Sequence, residues 1–134
     1  MRLFLKAAIC TLCVLLSGSL KAQNDGYDVF VPITKYLSQG DADSLSAWFA
    51  DNLEISVVSP LSTSSKNQAR QVLKSFFESY TPRSFEVTHK AGKTNMKYAL
   101  GSLKAGGETF LVTIFVSSKG GTFKIQQLKI ERAQ

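Results

Sequence analysis

The chain has 134 residues, 44% of them hydrophobic and 19% charged, with a formal net charge of +6. This length suggests one domain. One histidine and two cysteines leave no readable His/Cys metal site, and no Gly-rich phosphate loop stands before a helix.

The first 22 residues read as a secretory signal peptide, not as part of the domain. Arg2 and Lys6 charge the start, residues 7–16 are apolar except for Thr11, and Ser17, Gly18 and Ser19 are small. Leu20-Lys21-Ala22 then reads as a processing site. The apolar run falls short of the roughly 20 residues that span a bilayer, so cleavage is expected over a transmembrane anchor. Cys10 and Cys13 lie inside that run, with no small residue before either, which argues against lipidation. Cleavage after Ala22 leaves 112 residues with no cysteine, so the exported domain forms no disulfide and relies on its core. The expected location is periplasmic or extracellular, with no stable membrane anchor. Residues 23–27 are a short tail, and the domain runs over residues 28–131.

Losing Arg2, Lys6 and Lys21 lowers the formal charge to +3. The rest is uneven. Residues 25–54 hold six acids and the single base Lys35, whereas residues 66–104 hold eight bases and two acids. Such a segment can attract an anionic partner or can simply form solvated faces. Nucleic acid is not expected, because no aromatic-basic motif accompanies an exported chain.

From Asp28 the pattern is helical. Val29, Ile33, Tyr36 and Leu37 recur at helical spacing, Asp28 can cap the start, and Pro32 fits a first turn. Gly40 supplies the left-handed residue that ends the helix. Asp41 is a good N-cap for a second, shorter helix, and Asp43 meets its dipole. Leu45, Trp48 and Phe49 form its apolar face. Asp51-Asn52 reads as a turn, and Leu53, Ile55 and Val57 then alternate as a strand. "SPLSTSS" (59–65) reads as a loop. Ala69, Val72, Leu73, Phe76, Phe77 and Tyr80 make a full apolar stripe on a third helix, with Ser65 and Gln68 as capping box and Pro82 behind its end.

From Ser84 the period becomes two. Four strands are expected at about 84–90, 96–104, 109–118 and 122–131, joined by glycine-containing connections as an antiparallel meander. Phe85 and Val87; Tyr98 and Leu100; Phe110, Val112, Ile114 and Val116; and Phe123 and Ile125 would face inward.

The expected fold is α+β: three helices packed on a strongly curved antiparallel sheet of five strands, a cystatin-like cone, as one domain. This order, with "GDADSLSAWFADNLEIS" at the second helix and first strand, resembles the nuclear transport factor two-like (NTF2-like) superfamily. Within it the chain looks like an exported Bacteroidota-type domain of unknown function, DUF4783. The resemblance covers nearly all of residues 28–131. Superfamily members include isomerases, dehydratases, ligand-binding domains and non-enzymatic partners, so the fold leaves function open. No position matches a family catalytic motif.

The residues themselves offer few chemical candidates. His89 alternates with Phe85 and Val87, which could turn it into the cone as a base; with no acid placed to orient it, the competing reading is a rim or solvent-exposed histidine beside the "KAGK" turn, Lys90 to Lys93. Asp51 and Glu54 are the acids that could serve a cone-type isomerase, against which Asp51 reads as a turn residue and Glu54 as the polar face of a strand. Tyr36, Tyr80 and Tyr98, with Trp48 and Phe76, are the residues that would contact a ligand or serve as core aromatics. No cofactor and no metal are expected. The leading expectation is a non-catalytic exported domain that binds a small apolar or amphipathic ligand or a protein partner. The alternatives are a small cone-fold enzyme using His89 and a purely structural dimeric module. Residues 109–118 are apolar on both faces. Leu111 and Phe115, joined by Ala99, Leu103, Leu128 and Ile130, would make an exposed outer patch and hence a homodimer. A bulge near Gln126-Gln127 and long lysine stems would instead shield it.

Overall fold

The computed structural model describes residues 28–133. The order is α1 (Phe30–Gln39), α2 (Ala42–Ser46), β1 (Phe49–Val57), β2 (Ser62–Ser65), α3 (Lys66–Ser79), β3 (Pro82–Gly92), β4 (Met96–Ala105), β5 (Glu108–Lys119) and β6 (Thr122–Arg132). The signal peptide and tail expected over residues 1–27 lie outside the described residues.

The helix ends form as their sequences dictate. The Phe30 N–H donates to Asp28 Oδ1 at 2.9 Å, and Gly40 closes α1 in the left-handed region at φ 69°. Asp41 accepts from the Ser44 N–H at 3.0 Å, and Ser65 and Gln68 complete a capping box on α3. The Ser44 hydrogen bond holds Asp41 below the ordinary carboxylate pKa. Burial opposes ionisation of Asp28. The hydrogen bonds from Lys90 and the Phe30 N–H, with the charges of Lys90 and Lys97, outweigh it and lower its pKa.

Six strands form one curved sheet in the order β2-β1-β6-β5-β4-β3. Every neighbouring pair is antiparallel except β1 and β6, which run parallel. The helices pack on one face, with α1 against β3 and β4, α3 against β1 and β2, and α2 between them. Ile33, Leu37, Leu45, Phe49, Leu73, Leu103, Phe110, Ile114, Ile125, Leu128 and Ile130 are fully buried and fill the space between helices and sheet. The interior of the cone is therefore solid packing at these positions.

Several expectations are corrected by backbone pairing. Trp48 and Phe49 do not lie on α2. That helix stops at Ser46, tight turns carry the chain past Ala47, and the Ile125 N–H then donates to the Trp48 carbonyl, drawing the chain into the sheet. Asp51 and Asn52 are strand, not turn, because Asn52 pairs with Ser65. The serine-rich loop holds a sixth strand, since β2 satisfies the backbone groups of β1 that a sheet edge would leave open.

The inner face of β4 is inverted. Ala99, Gly101, Leu103 and Ala105 are buried, whereas Tyr98 is half-buried and Leu100 is exposed. Small residues are needed there because the Phe85 ring lies directly over Gly101. Leu128 and Ile130 face inward, not outward, as do Ala99 and Leu103. The expected bulge is present: Phe115 pairs with Gln127 and Val116 with Ile125, so Gln126 is the extra residue. It lets Ile125, Leu128 and Ile130 share one face despite uneven spacing.

Candidate functional site

Among the described residues, the seven large hydrophobic side chains that remain exposed include two groups of three. Met96, Leu100 and Leu111 stand on the outer face of β4 and β5. Val58, Leu61 and Val72 flank the turn after β1 and the side of α3.

The outer face is built by cross-strand rows. Leu111 pairs with Ser102 and Glu131, Thr113 with Leu100 and Lys129, Phe115 with Tyr98 and Gln127, and Ser117 with Met96 and Lys124. Each row carries an apolar centre on β4 or β5 and a polar residue on β6. Leu111 and Met96 are each 50% exposed, Leu100 is 38% exposed, and Phe115 and Tyr98 are half-buried. Leu111 and Phe115 thus lie on the outer face as expected. Their companions are Met96, Tyr98 and Leu100 rather than Ala99, Leu103, Leu128 and Ile130.

His89 belongs to this face and not to the cone interior. Val87 pairs with Gly101 and His89 with Leu100, so Thr88 is an extra residue and the alternation from Phe85 shifts by one. The Thr88 hydroxyl donates to the Leu100 carbonyl at 3.2 Å. His89 is exposed, and its ring lies 5.9 Å from that of Tyr98. Among the described residues no carboxylate bonds to it. The same shift turns Lys90 toward α1, where its ammonium meets Asp28 Oδ2 at 2.9 Å.

The other predicted ligand contacts are dispersed. Tyr36 is half-buried against the core with the Lys35 ammonium 5.9 Å from its ring, and Trp48 packs against the core from the start of β1. Phe76 and Tyr80 do come together. Their rings lie 5.2 Å apart, and each contacts Phe110, at 5.0 and 5.2 Å. The Arg132 guanidinium stacks over Tyr80 and Phe110, donates to the Tyr80 hydroxyl at 2.8 Å and pairs with Glu108 at 3.1 Å. Beside this cluster is an open groove of about 350 Å³ reaching Val57, Val58, Val72 and Ser75. Val72 belongs to the predicted stripe of α3, yet is 43% exposed at this groove. Val58 adopts φ 54°, a conformation that costs a β-branched residue about 1–3 kcal/mol.

Sequence reading missed Met96, Leu100, Val58 and Arg132. Period-two patterning marks Leu100 as apolar but cannot choose its face, and Arg132 takes its role only when β6 lies beside β5 and Tyr80. Among the described residues, no group of three or more His, Cys, Asp or Glu is placed to hold a metal ion. No helix among them is long and apolar enough to cross a membrane.

Three helices on one face of a curved, mostly antiparallel sheet define an NTF2-like, cystatin-like α+β domain. The model of the domain of unknown function DUF4783 matches residues 30–131, and the chain belongs to that family. A DUF4783 family protein from Bacteroides uniformis superposes with a TM-score of 0.76 at 19% identity, over 80% of this chain and 99% of that one. A designed NTF2-like protein gives 0.60 at 16% identity, over 72% and 88%. A domain of unknown function with a cystatin-like fold from Nostoc punctiforme gives 0.62 at 11% identity, over 77% and 72%. No curated protein matches the chain.

Proposed function

We propose that this is an exported binding domain that works by protein association through the outer face of its sheet, with a second copy of itself as the partner. The observation that carries this reading is the exposure of Met96, Leu100 and Leu111 on one side of β4 and β5, continuous with Tyr98 and Phe115. An apolar patch of this kind on the outer face of a sheet is stabilised when another surface removes it from water. A two-fold pair of identical faces is the simplest such surface. The polar rows of Gln127, Lys129 and Glu131 form the rim on β6. The superfamily resemblance points the same way, since its members often pair through this face.

Other readings receive less support. The Phe76–Tyr80 groove is capped at one side by Arg132 stacked on the aromatic rings, which leaves a small ligand less apolar surface than the outer face offers a partner. His89 stands in solvent without an acid, so the geometry that an acid–base enzyme needs is not supplied there. Sedimentation of the exported protein at high micromolar concentration tests association. A dimer is expected, and Leu111→Lys or Phe115→Lys should convert it to a folded monomer. Leu111→Lys is the cleaner probe because that side chain is already half in water. A wild-type monomer at that concentration overturns the reading.

A further inference from the structure

The excess of basic side chains between Lys66 and Lys104 is not used by the outer-face association. The structure sorts its charges. Arg70 pairs with Asp43, Lys90 pairs with Asp28, and the Lys97 ammonium lies 5.2 Å over the Phe123 ring. Arg83 and Lys104 have no ion pair among the described residues. They line one groove of about 620 Å³ together with Ser84, Ala105, Gly107, Glu108 and Thr109.

Strand register assembles this groove. Ser84 pairs with Lys104, and Lys104 with Thr109, so two hydroxyls flank the lysine in a single cross-strand row. The register shifts between Pro82 and Ser84, which makes Arg83 the extra residue and turns it to the same place. Gly107 adopts φ 82° at the turn, and a Cβ there would meet nothing within 4 Å, so its backbone borders open space. The one acid in the groove, Glu108, is engaged by Arg132 at 3.1 Å. Two uncompensated cations therefore face a cleft that also offers hydroxyl donors.

The geometry points to a binding site for a tetrahedral oxyanion, a phosphate or sulfate group, held between Arg83 and Lys104. A guanidinium fork matches two oxygens of such a group, and the ammonium acts as a point charge on a third. Ser84 and Thr109 supply neutral hydroxyl donors for the remaining oxygens. The site rests on observations separate from the dimer face.

Titration of ¹⁵N-labelled protein with inorganic phosphate, and separately with sulfate, at ionic strength held constant with chloride, tests it. Saturable amide shifts confined to Ser84, Gly107, Glu108 and Thr109 are expected. R83Q/K104Q should weaken the apparent affinity at least tenfold without moving the melting temperature, whereas K74Q, an exposed lysine on α3, should leave it unchanged. Tighter phosphate binding assigns the site to phosphate groups, tighter sulfate binding to sulfate groups, and equal binding to tetrahedral oxyanions of either kind. Non-saturable shifts spread over Lys66 and Lys74 as well, or a double variant that binds as the wild type does, overturn the site. Neither result bears on sedimentation, so failure here and failure of the dimer are separate outcomes.

Discussion

Gly101 lies on the inner face of β4 with no room above it. A Cβ there would stand 2.4 Å from the Phe85 Cζ and 2.8 Å from the Glu86 carbonyl oxygen. The ring has some freedom, but the carbonyl belongs to the neighbouring strand and cannot retreat without loosening the pairing of β3 with β4. Gly101→Ala is expected to destabilise the domain by about 1–3 kcal/mol through overpacking. Chemical denaturation of the variant checks it, and an unchanged midpoint would show that Phe85 and the strand shift freely. His89 shows the same sensitivity to one residue. Alternation from Phe85 sends it inward, and the single extra residue Thr88 sends it outward, next to Tyr98. A bulge depends on which strand lies alongside and where its hydrogen bonds fall, and nothing in "FEVTHK" announces that.

At the scale of elements, α3 was the most legible part of the chain. Its capping box, its apolar stripe and the proline behind its end all agree, and Ala69, Leu73, Phe76 and Phe77 are buried as the stripe requires. Leu73 is fully buried at the middle of that helix, so Leu73→Ala is expected to cost about 2–5 kcal/mol. Thermal unfolding of the variant measures it, and a melting curve that does not move would be incompatible with this packing. The strands were less legible in detail than in number. β5 shows its inner face plainly, because Phe110, Val112, Ile114 and Val116 are all buried. β4 presents apolar residues on both faces, so periodicity marks the strand without choosing a side. β2 carries only serine and threonine, and it becomes a strand because β1 offers it backbone partners.

At the scale of the whole molecule, the charge pattern, apolar start and small-residue exit of the first 22 residues lead to a proposal of export. Mass spectrometry of the exported product is expected to show a chain beginning at Gln23, and a mass that retains Cys10 and Cys13 would overturn it. The sequence by itself determined the kind of fold. Helix caps, the stripe on α3 and the change of period at Ser84 are local signals, set by hydrogen bonds and side chains a few residues apart. Through them the α+β class and the family were legible. The candidate site was not, apart from Leu111, Phe115 and the Phe76–Tyr80 pair. The outward turn of Leu100 and His89, the inward turn of Leu128 and Ile130, and the meeting of Arg83 with Lys104 all depend on bulges and register between strands far apart in sequence. Moving a strand by one residue exchanges its faces, and only contact with the neighbouring strand decides whether that move occurs.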